Sequence, residues 1–301
     1  MVTSIGMHLE KILENHRAWL EKREGGIRAD FSGYTMTESR LEAADLSRAI
    51  LRGVYLMESE LTDAKLVQAS LEMADLRKSV LTNADLTGAD LSQAQLDHVW
   101  MPNASLSESR LVGVAVRKAN LQNVRFLDAV LQGCDLSYSN AAKASFHQAR
   151  VFECVCMDAV FQKALFYRAR VQLSKFRGAS FAECNFSSAQ LHNCDFASTD
   201  FTEAKLPKAD LCRSSFTRAQ LPYCDFREAI LKGASFNGAN LTGARFGGAS
   251  LYTADLRGAD LSSARELTQE QLMQALTDSD TVLPNGSRGP YMKRSGAERP
   301  R

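Results

Sequence analysis

Cys154 and Cys156, one residue apart, come nearest in this 301-residue chain to a pair that could do chemistry. Thiolates at that spacing can hold a soft metal, but a structural zinc needs four converging ligands. No histidine stands at ligand spacing from this pair; His8, His16, His98, His147 and His192 are scattered singly. The chain contains no phosphate-binding loop, dinucleotide-binding glycine pattern, nucleophile-elbow serine or zinc-protease helix motif. Asn103-Ala104-Ser105 fits a glycosylation sequon, which has no meaning without secretion. These observations predict no catalytic residue, no metal site and no cofactor.

The elements that would have to position these residues explain why they stand where they do. An apolar residue, large except at Ala141 and Cys156, falls at every position ending in 1 or 6 from Phe31 to Leu261, giving forty-seven consecutive repeats of five. Two places before each stands Ala, Ser, Cys, Val or Thr, with Tyr34 as the exception. Cys134, Cys154, Cys184, Cys194 and Cys224 occupy the small position and Cys156 the large one, so they read as small buried hydrophobes in a reduced protein. Five fits neither the 3.6-residue period of a helix nor the 2.0 of a strand. Two inward residues in every five require a corner between repeats, and four corners close a twenty-residue coil. Stacked at the strand spacing of about 4.8 Å, the repeats make about 12 coils in a body roughly 55 Å long. Side chains one coil apart, such as Cys134 and Cys154, then stand somewhat beyond disulfide reach.

Four near-verbatim motifs carry a resemblance: Ala84-Asp85-Leu86-Thr87-Gly88, Ala89-Asp90-Leu91-Ser92-Gln93, Ala239-Asn240-Leu241-Thr242-Gly243 and Ala259-Asp260-Leu261-Ser262-Ser263. Over residues 29–264 the chain resembles the pentapeptide-repeat family, whose consensus is A(D/N)Lxx. The resemblance implies an all-β solenoid, a right-handed quadrilateral β-helix. Asp or Asn before the central Leu should hydrogen-bond local backbone at a corner. Sorted by twenty, Phe126, Phe146, Phe166, Phe186, Phe226 and Phe246 share one face, and Phe176, Phe196, Phe216 and Phe236 share the opposite one. Both columns read as core.

Open coil ends expose unpaired edges and need covers. Residues 1–28 should form an N-terminal cap built on an amphipathic helix over residues 8–23, with Leu9, Ile12, Leu13, His16, Trp19 and Leu20 on one face and Gly25-Gly26 as its stop. At the other end, residues 265–284 should cap the coils. Thr268-Gln269-Glu270-Gln271 is a capping-box pattern, followed by Leu272, Met273 and Leu276 on one side of a short helix. Residues 285–301 read as a disordered basic tail, with Arg288, Lys293, Arg294, Arg299 and Arg301 against Glu298.

What remains for function is the surface. The chain is nearly neutral, with 36 Lys and Arg against 35 Asp and Glu, which gives no general argument for nucleic acid or membrane. The charge is unevenly placed: residues 29–100 hold 12 acidic and 6 basic side chains, and residues 101–180 hold 5 and 11. The basic stretch also sets apolar residues at outward positions: Leu127, Val130, Phe152, Val155, Met157, Val160, Leu165, Tyr167 and Leu173. With Arg150, Arg168 and Arg170 beside them, the composition is that of a protein–protein hot region. Distorted coils near Ala141 and Cys156 would instead swallow these side chains. The reading is a non-enzymatic interaction scaffold in the cytoplasm, with an unidentified protein partner and no membrane. Direct nucleic-acid binding through the basic stretch is disfavoured, because Asp and Glu interleave it. The resemblance adds a DNA mimic that binds DNA gyrase or topoisomerase IV, a type II topoisomerase, and it allows a homodimer through the C-terminal end. Only the acidic first third, Asp30 to Asp97, could imitate phosphates.

Overall fold

Each five-residue repeat makes one inward step and one corner. The computed structural model describes residues 2–300, with side chains from Leu9 onward; the side chain of His8, and Arg301 of the tail, lie outside the described residues. At most corners the carbonyl of the inward residue accepts a bond from the N–H three residues on, as from Tyr34 to Phe31 (3.0 Å) and from Ala204 to Phe201 (2.8 Å). The third residue of the corner takes a left-handed conformation, from Glu38 (φ 59°) to Ser263 (φ 57°). Such a φ costs a non-glycine residue about 1 kcal/mol. The expected Asp and Asn caps offset part of it: Asp85 Oδ1 accepts from Thr87 N at 3.0 Å, Asp200 Oδ1 from Thr202 N at 2.9 Å and Asn240 Oδ1 from Thr242 N at 3.0 Å.

The chain forms two compact units, Met1–Ser139 and Asn140–Arg301. In each, parallel bridges join residues twenty apart. They run from Asp30↔Ile50 to Ala115↔Asp135 in the first unit and from Asn140↔Val160 to Arg245↔Arg265 in the second. Among the described residues, continuous strands appear only at positions that recur every twenty residues from Arg110 to Gln190. β1 (Arg110–Val112) and β2 (Val130–Gln132) pair in the first unit. β3 (Arg150–Phe152), β4 (Arg170–Gln172) and β5 (Gln190–His192) pair in the second. After each of these strands the corner is a bend without the hydrogen-bonded turn.

All forty-seven inward residues are buried, Ala141 and Cys156 among them, and Asn140↔Val160 and Val155↔Lys175 keep the register there. The coils at Ala141 and Cys156 are therefore regular, not distorted. The small position is buried everywhere except Tyr34, Ser39 and Ala44, at the N-terminal edge of the solenoid. In the second unit the aromatic core has three ladders where the sequence reading named two. Phe146, Phe166 and Phe186 stack with centroids 4.6 Å apart at each step, and Phe176, Phe196, Phe216 and Phe236 at 5.0 to 5.1 Å. Phe161, Phe181 and Phe201 form the third, at 4.9 and 4.8 Å. Neighbouring ladders meet edge to face, as Phe181 and Phe196 do at 5.7 Å and 77°.

Both ends are built differently from the expectation. Helix α1 spans Val2–Leu20, beginning six residues before the expected start. Its stop is not the glycine pair. Lys22 takes the left-handed position (φ 55°), Lys22 N donates to Trp19 O and Arg23 N to Ala18 O, which is the Schellman arrangement. Gly26 serves another purpose: a Cβ there would stand 2.4 Å from the backbone N of Trp19, so only glycine lets the chain pass under the helix. Leu9, Ile12, Leu13 and Trp19 are only half-buried, and His16 is the fully buried anchor. Its Nδ1 accepts from Ala29 N (3.0 Å) while Nε2 donates to Ser47 O (3.1 Å). Trp19 stacks on the His16 ring at 5.5 Å, and the Arg28 guanidinium lies 5.7 Å from the Trp19 ring.

At the C-terminal end α2 spans Gln269–Gln274 with the expected capping box between Thr268 and Gln271. Of the three residues expected to cover the last coil, Leu272 is buried, but Met273 and Leu276 are each 52% exposed. Gln271 does the covering instead. Its Nε2 donates to the carbonyls of Phe246 and Ala249, both at 2.8 Å, which satisfies an open edge. Residues 285–300, expected to be disordered, pack back on this cap. Asn285 N donates to Ala297 O, Tyr291 N to Thr277 Oγ1 and Arg294 N to Gln269 Oε1, and Ala297 is buried.

Burial holds the His16 imidazole below its ordinary value, against the Ser47 bond and the Asp45 charge, which raise it, and with Arg28, which lowers it. A proton on Nδ1 would also break the bond from Ala29. The folded value lies below the unfolded value of about 6.5, so the cap is at full strength above that pH and weakens as pH falls toward the folded value. Hydrogen exchange of the α1 amides should therefore quicken between about pH 7 and about pH 5 after correction for intrinsic rates. His16→Ala should show the fast rate at both pH values and cost about 1–3 kcal/mol; equal protection in variant and wild type would refute this account.

Candidate interaction surface

The residues with chemical potential are turned away from it. Cys154 and Cys156 both face the core, at 1% and 2% exposure. Among the described residues, no three His, Cys, Asp or Glu side chains come together to hold a metal ion, and no helix is long and apolar enough to cross a membrane. The buried thiols donate to carbonyls: Cys184 Sγ to Phe161 O at 2.8 Å and Cys224 Sγ to Phe201 O at 3.0 Å. Burial pushes both thiols far above their ordinary value, and pushes Cys194 up to about 12.

One cluster on the outside of the second unit was missed in the sequence. His192 Nε2 lies 2.9 Å from Asp210 Oδ2, and Cys212 N donates to Asp210 Oδ1 at 3.1 Å. His192 Nε2 has that close contact but no hydrogen-bond partner by geometry. Burial would raise the Asp210 carboxyl, but the bonds from Cys212 and the adjacent His192 ring outweigh it and hold the group low. Partial burial and that carboxylate push the Cys212 thiol up to about 11. A thiol so raised is protonated at neutral pH and is a poor nucleophile. The signal lay in residues 192, 210 and 212, which only the twenty-residue register brings together.

Two cavities of the first unit are equally unlike an active site. A void of about 10 Å³ lined by Leu96, Met101, Leu121 and Phe126 lies in the core of the first unit, scarcely room for one water. The 660 Å³ groove between α1 and the coils is open, with Glu14, Arg17, Asp45 and Lys65 along it.

The outward apolar residues are where the register put them, and none is buried. In the first unit Leu127 is 39% exposed and Val130 is half-buried. In the second, Val160, Leu165 and Leu173 are 39%, 46% and 48% exposed, while Phe152, Val155, Met157 and Tyr167 are half-buried. Tyr167 stacks on His147 at 5.1 Å and carries the Arg168 guanidinium at 5.0 Å. Arg150 and Arg170 are exposed and in register on β3 and β4. The belt is therefore two patches, one per unit.

Part of the acidic surface of the first unit is engaged. Asp75 holds Arg77 at 2.6 Å, Asp97 holds Arg117, Glu58 holds Lys78 at 2.7 Å, and Asp63 accepts from Asn83 at 3.0 Å. The last bond begins a ladder of amides, Asn103 to Asn83 and Asn123 to Asn103, at 3.2 and 3.1 Å.

Pentapeptide repeats match residues 27–63, 59–96, 89–128, 109–148, 159–196, 194–233 and 234–265. The chain belongs to the pentapeptide repeat family. No curated protein matches it in sequence. Among solved structures, HetL, a pentapeptide repeat protein involved in heterocyst differentiation regulation from the cyanobacterium Nostoc sp. strain PCC 7120, is 22% identical, with coverage of 90% of this chain and 96% of its own and a TM-score of 0.25. QnrB1, a plasmid-mediated fluoroquinolone resistance protein, is 19% identical over 81% and 93%, with a TM-score of 0.24. A thylakoid-lumen member from Arabidopsis thaliana is 25% identical over 33% and 68%, with a TM-score of 0.22. Scores this low carry no argument, and the family rests on the repeat itself.

The thiol geometry makes a direct prediction. Cys184, Cys194, Cys212 and Cys224 should resist a thiolate-selective reagent in the native protein at about pH 7.5 and react fully once it is unfolded. Rapid native labelling of Cys212, mapped by mass spectrometry, would contradict the high thiol value assigned to it.

Proposed function

We propose that this pentapeptide repeat protein is a non-enzymatic scaffold that docks a protein partner on the outside of its coils, with the main contact on the second unit. The observation that supports this most is the exposure of Val160, Leu165 and Leu173 on regular coils beside Arg150, Arg168 and Arg170. Outward positions elsewhere are mostly polar or charged, arginine included. Apolar and arginine side chains together are the composition that interfaces favour. A flat, water-facing sheet offers contact area without a cleft, which suits macromolecules better than small substrates.

The family resemblance also supports a topoisomerase-binding DNA mimic, but less strongly. A mimic needs free carboxylates in quantity, and on the first unit the pairing of Asp75, Asp97 and Glu58 with cations lowers their number. The same surface is broken by exposed Tyr55, Met73 and Trp100.

The double variant Phe152→Asp with Leu165→Asp tests the docking reading. Both side chains point outward, so the thermal midpoint should shift by no more than a few degrees. A partner captured from the native cell by the wild-type protein should be lost. Retention of that partner at wild-type level sinks the proposal.

A further inference from the structure

Stacking residues twenty apart sets like positions on adjacent coils beside one another, so each exposed charge has a predictable neighbour. Several cations on this surface find a carboxylate there. Lys78 meets Glu58, Arg117 meets Asp97, Lys163 meets Glu183, Arg177 meets Asp195 and Lys208 meets Glu228. Four places set cation over cation: Arg28 and Arg48, Lys143 and Lys163, Arg245 and Arg265, and Arg150 and Arg170. In the first, Arg28 Nε donates to the Arg48 carbonyl and Arg48 Nε to Gln68 Oε1; the second is relieved by Glu183, 3.4 Å from Lys163, and the third by Glu266, 2.6 Å from Arg245. Among the described residues, no carboxylate lies within ion-pair distance of Arg150 or Arg170.

These two arginines are paired directly in the β3–β4 register, where like charges destabilise a sheet. The cost is left standing between the continuous strands β3 and β4. Arg168 stands two residues before Arg170 on the same coil, held over the Tyr167 ring at 5.0 Å. Phe152 follows Arg150 by two residues, half-buried, and Leu173 follows Arg170 by three, 48% exposed. Glu153 is the sole carboxylate at these corners, and it makes no ion pair. A violated local rule with no internal compensation marks a functional site.

We propose that the Arg150–Arg170 stack is a carboxylate clamp for an acidic protein segment bound in extended form, with its apolar residues against Phe152 and Leu173. This rests on the docking reading above and names the chemistry of the partner. Guanidinium forks match carboxylates in pairs of parallel bonds, and a carboxylate between the two removes their mutual repulsion. A nucleic acid fits less well. Three arginines interleaved with Glu153 and two apolar side chains give few phosphate contacts, and the chain as a whole is neutral.

The test uses the full-length chain and fluorescence anisotropy with three labelled probes: a peptide repeating Glu-Leu-Glu-Ser, the same peptide with Gln for Glu, and single-stranded oligo-dT. The Glu peptide should bind, its affinity should fall at high salt, and R150Q/R170Q should weaken it at least roughly tenfold, as expected for lost charge-assisted bonds. The Gln peptide and oligo-dT should bind more weakly than the Glu peptide. R150Q/R170Q should melt no lower than wild type, since it removes a repulsion. The proposal is overturned if the Glu peptide fails to bind, binds the variant equally well, or is outcompeted by oligo-dT, or if the variant melts several degrees lower. A cellular partner lost by the Phe152→Asp, Leu165→Asp variant but kept by R150Q/R170Q would overturn the clamp while leaving the docking reading intact.

Discussion

Everything in this molecule depends on one backbone constraint, the pair of hydrogen bonds that bridges residues twenty apart. Phe31 N donates to Ile50 O and Ile50 N returns the bond to Ala29 O, and the same exchange repeats along each unit. Slipping the register by one residue would move every inward Leu or Phe to the outside. The register is therefore held by the whole hydrophobic column, and the column is held straight by the register. Burying the inward side chains stabilises each coil by about 1.5–3 kcal/mol per large residue relative to exposure, which offsets the left-handed corners. Those corners are tolerated as a set because the ladder over-determines each one.

The same constraint writes the surface. Once coils stack in register, an exposed side chain cannot choose its neighbour, because the residue twenty positions away is its neighbour. Asp63, Asn83, Asn103 and Asn123 become an amide ladder, and Lys208 and Glu228 become a pair. In a globular protein a like-charge pair is an accident of packing that long side chains can swing away from. Here the spacing is fixed at the strand distance, so a pair such as Arg150 and Arg170 is a property of the sequence.

The period made most of this legible before any coordinates. Residues 29–264, the inward columns, the Asp and Asn caps and the outward apolar residues all follow from counting by five and by twenty. The failures lie where the count stops. His16 sat on the predicted helix face, but Ala29 N and Ser47 O, its partners, are backbone groups with no sequence signature. Gln271 was read as a capping-box residue and also covers the open edge beyond its own helix, a double role that only contact reveals. The tail was judged by its composition, rich in Gly, Pro and Arg, and composition does not see that Thr277, Gln269 and Ala297 offer it partners. The third phenylalanine column was in plain view at positions 161, 181 and 201 and needed only the fourth face to be sorted like the others.

The division between what the repeat fixes and what it leaves free is also the division between stability and function. Inward positions accept only shape: small at one site, large at the other. Even the cysteines there are reduced to packing, with their thiols aimed at carbonyls and held protonated by burial. Three outward positions in each repeat carry no such demand. Water, the corner geometry and the charge of the neighbouring coil are their only constraints, and Ser, Thr, Asp, Asn and Gly satisfy all three. An outward position that holds Leu165, Leu173 or a second arginine has departed from that solution without gaining anything from the coil beneath it. In a fold this repetitive, departures of that kind are where a partner's demands can be read against a uniform background.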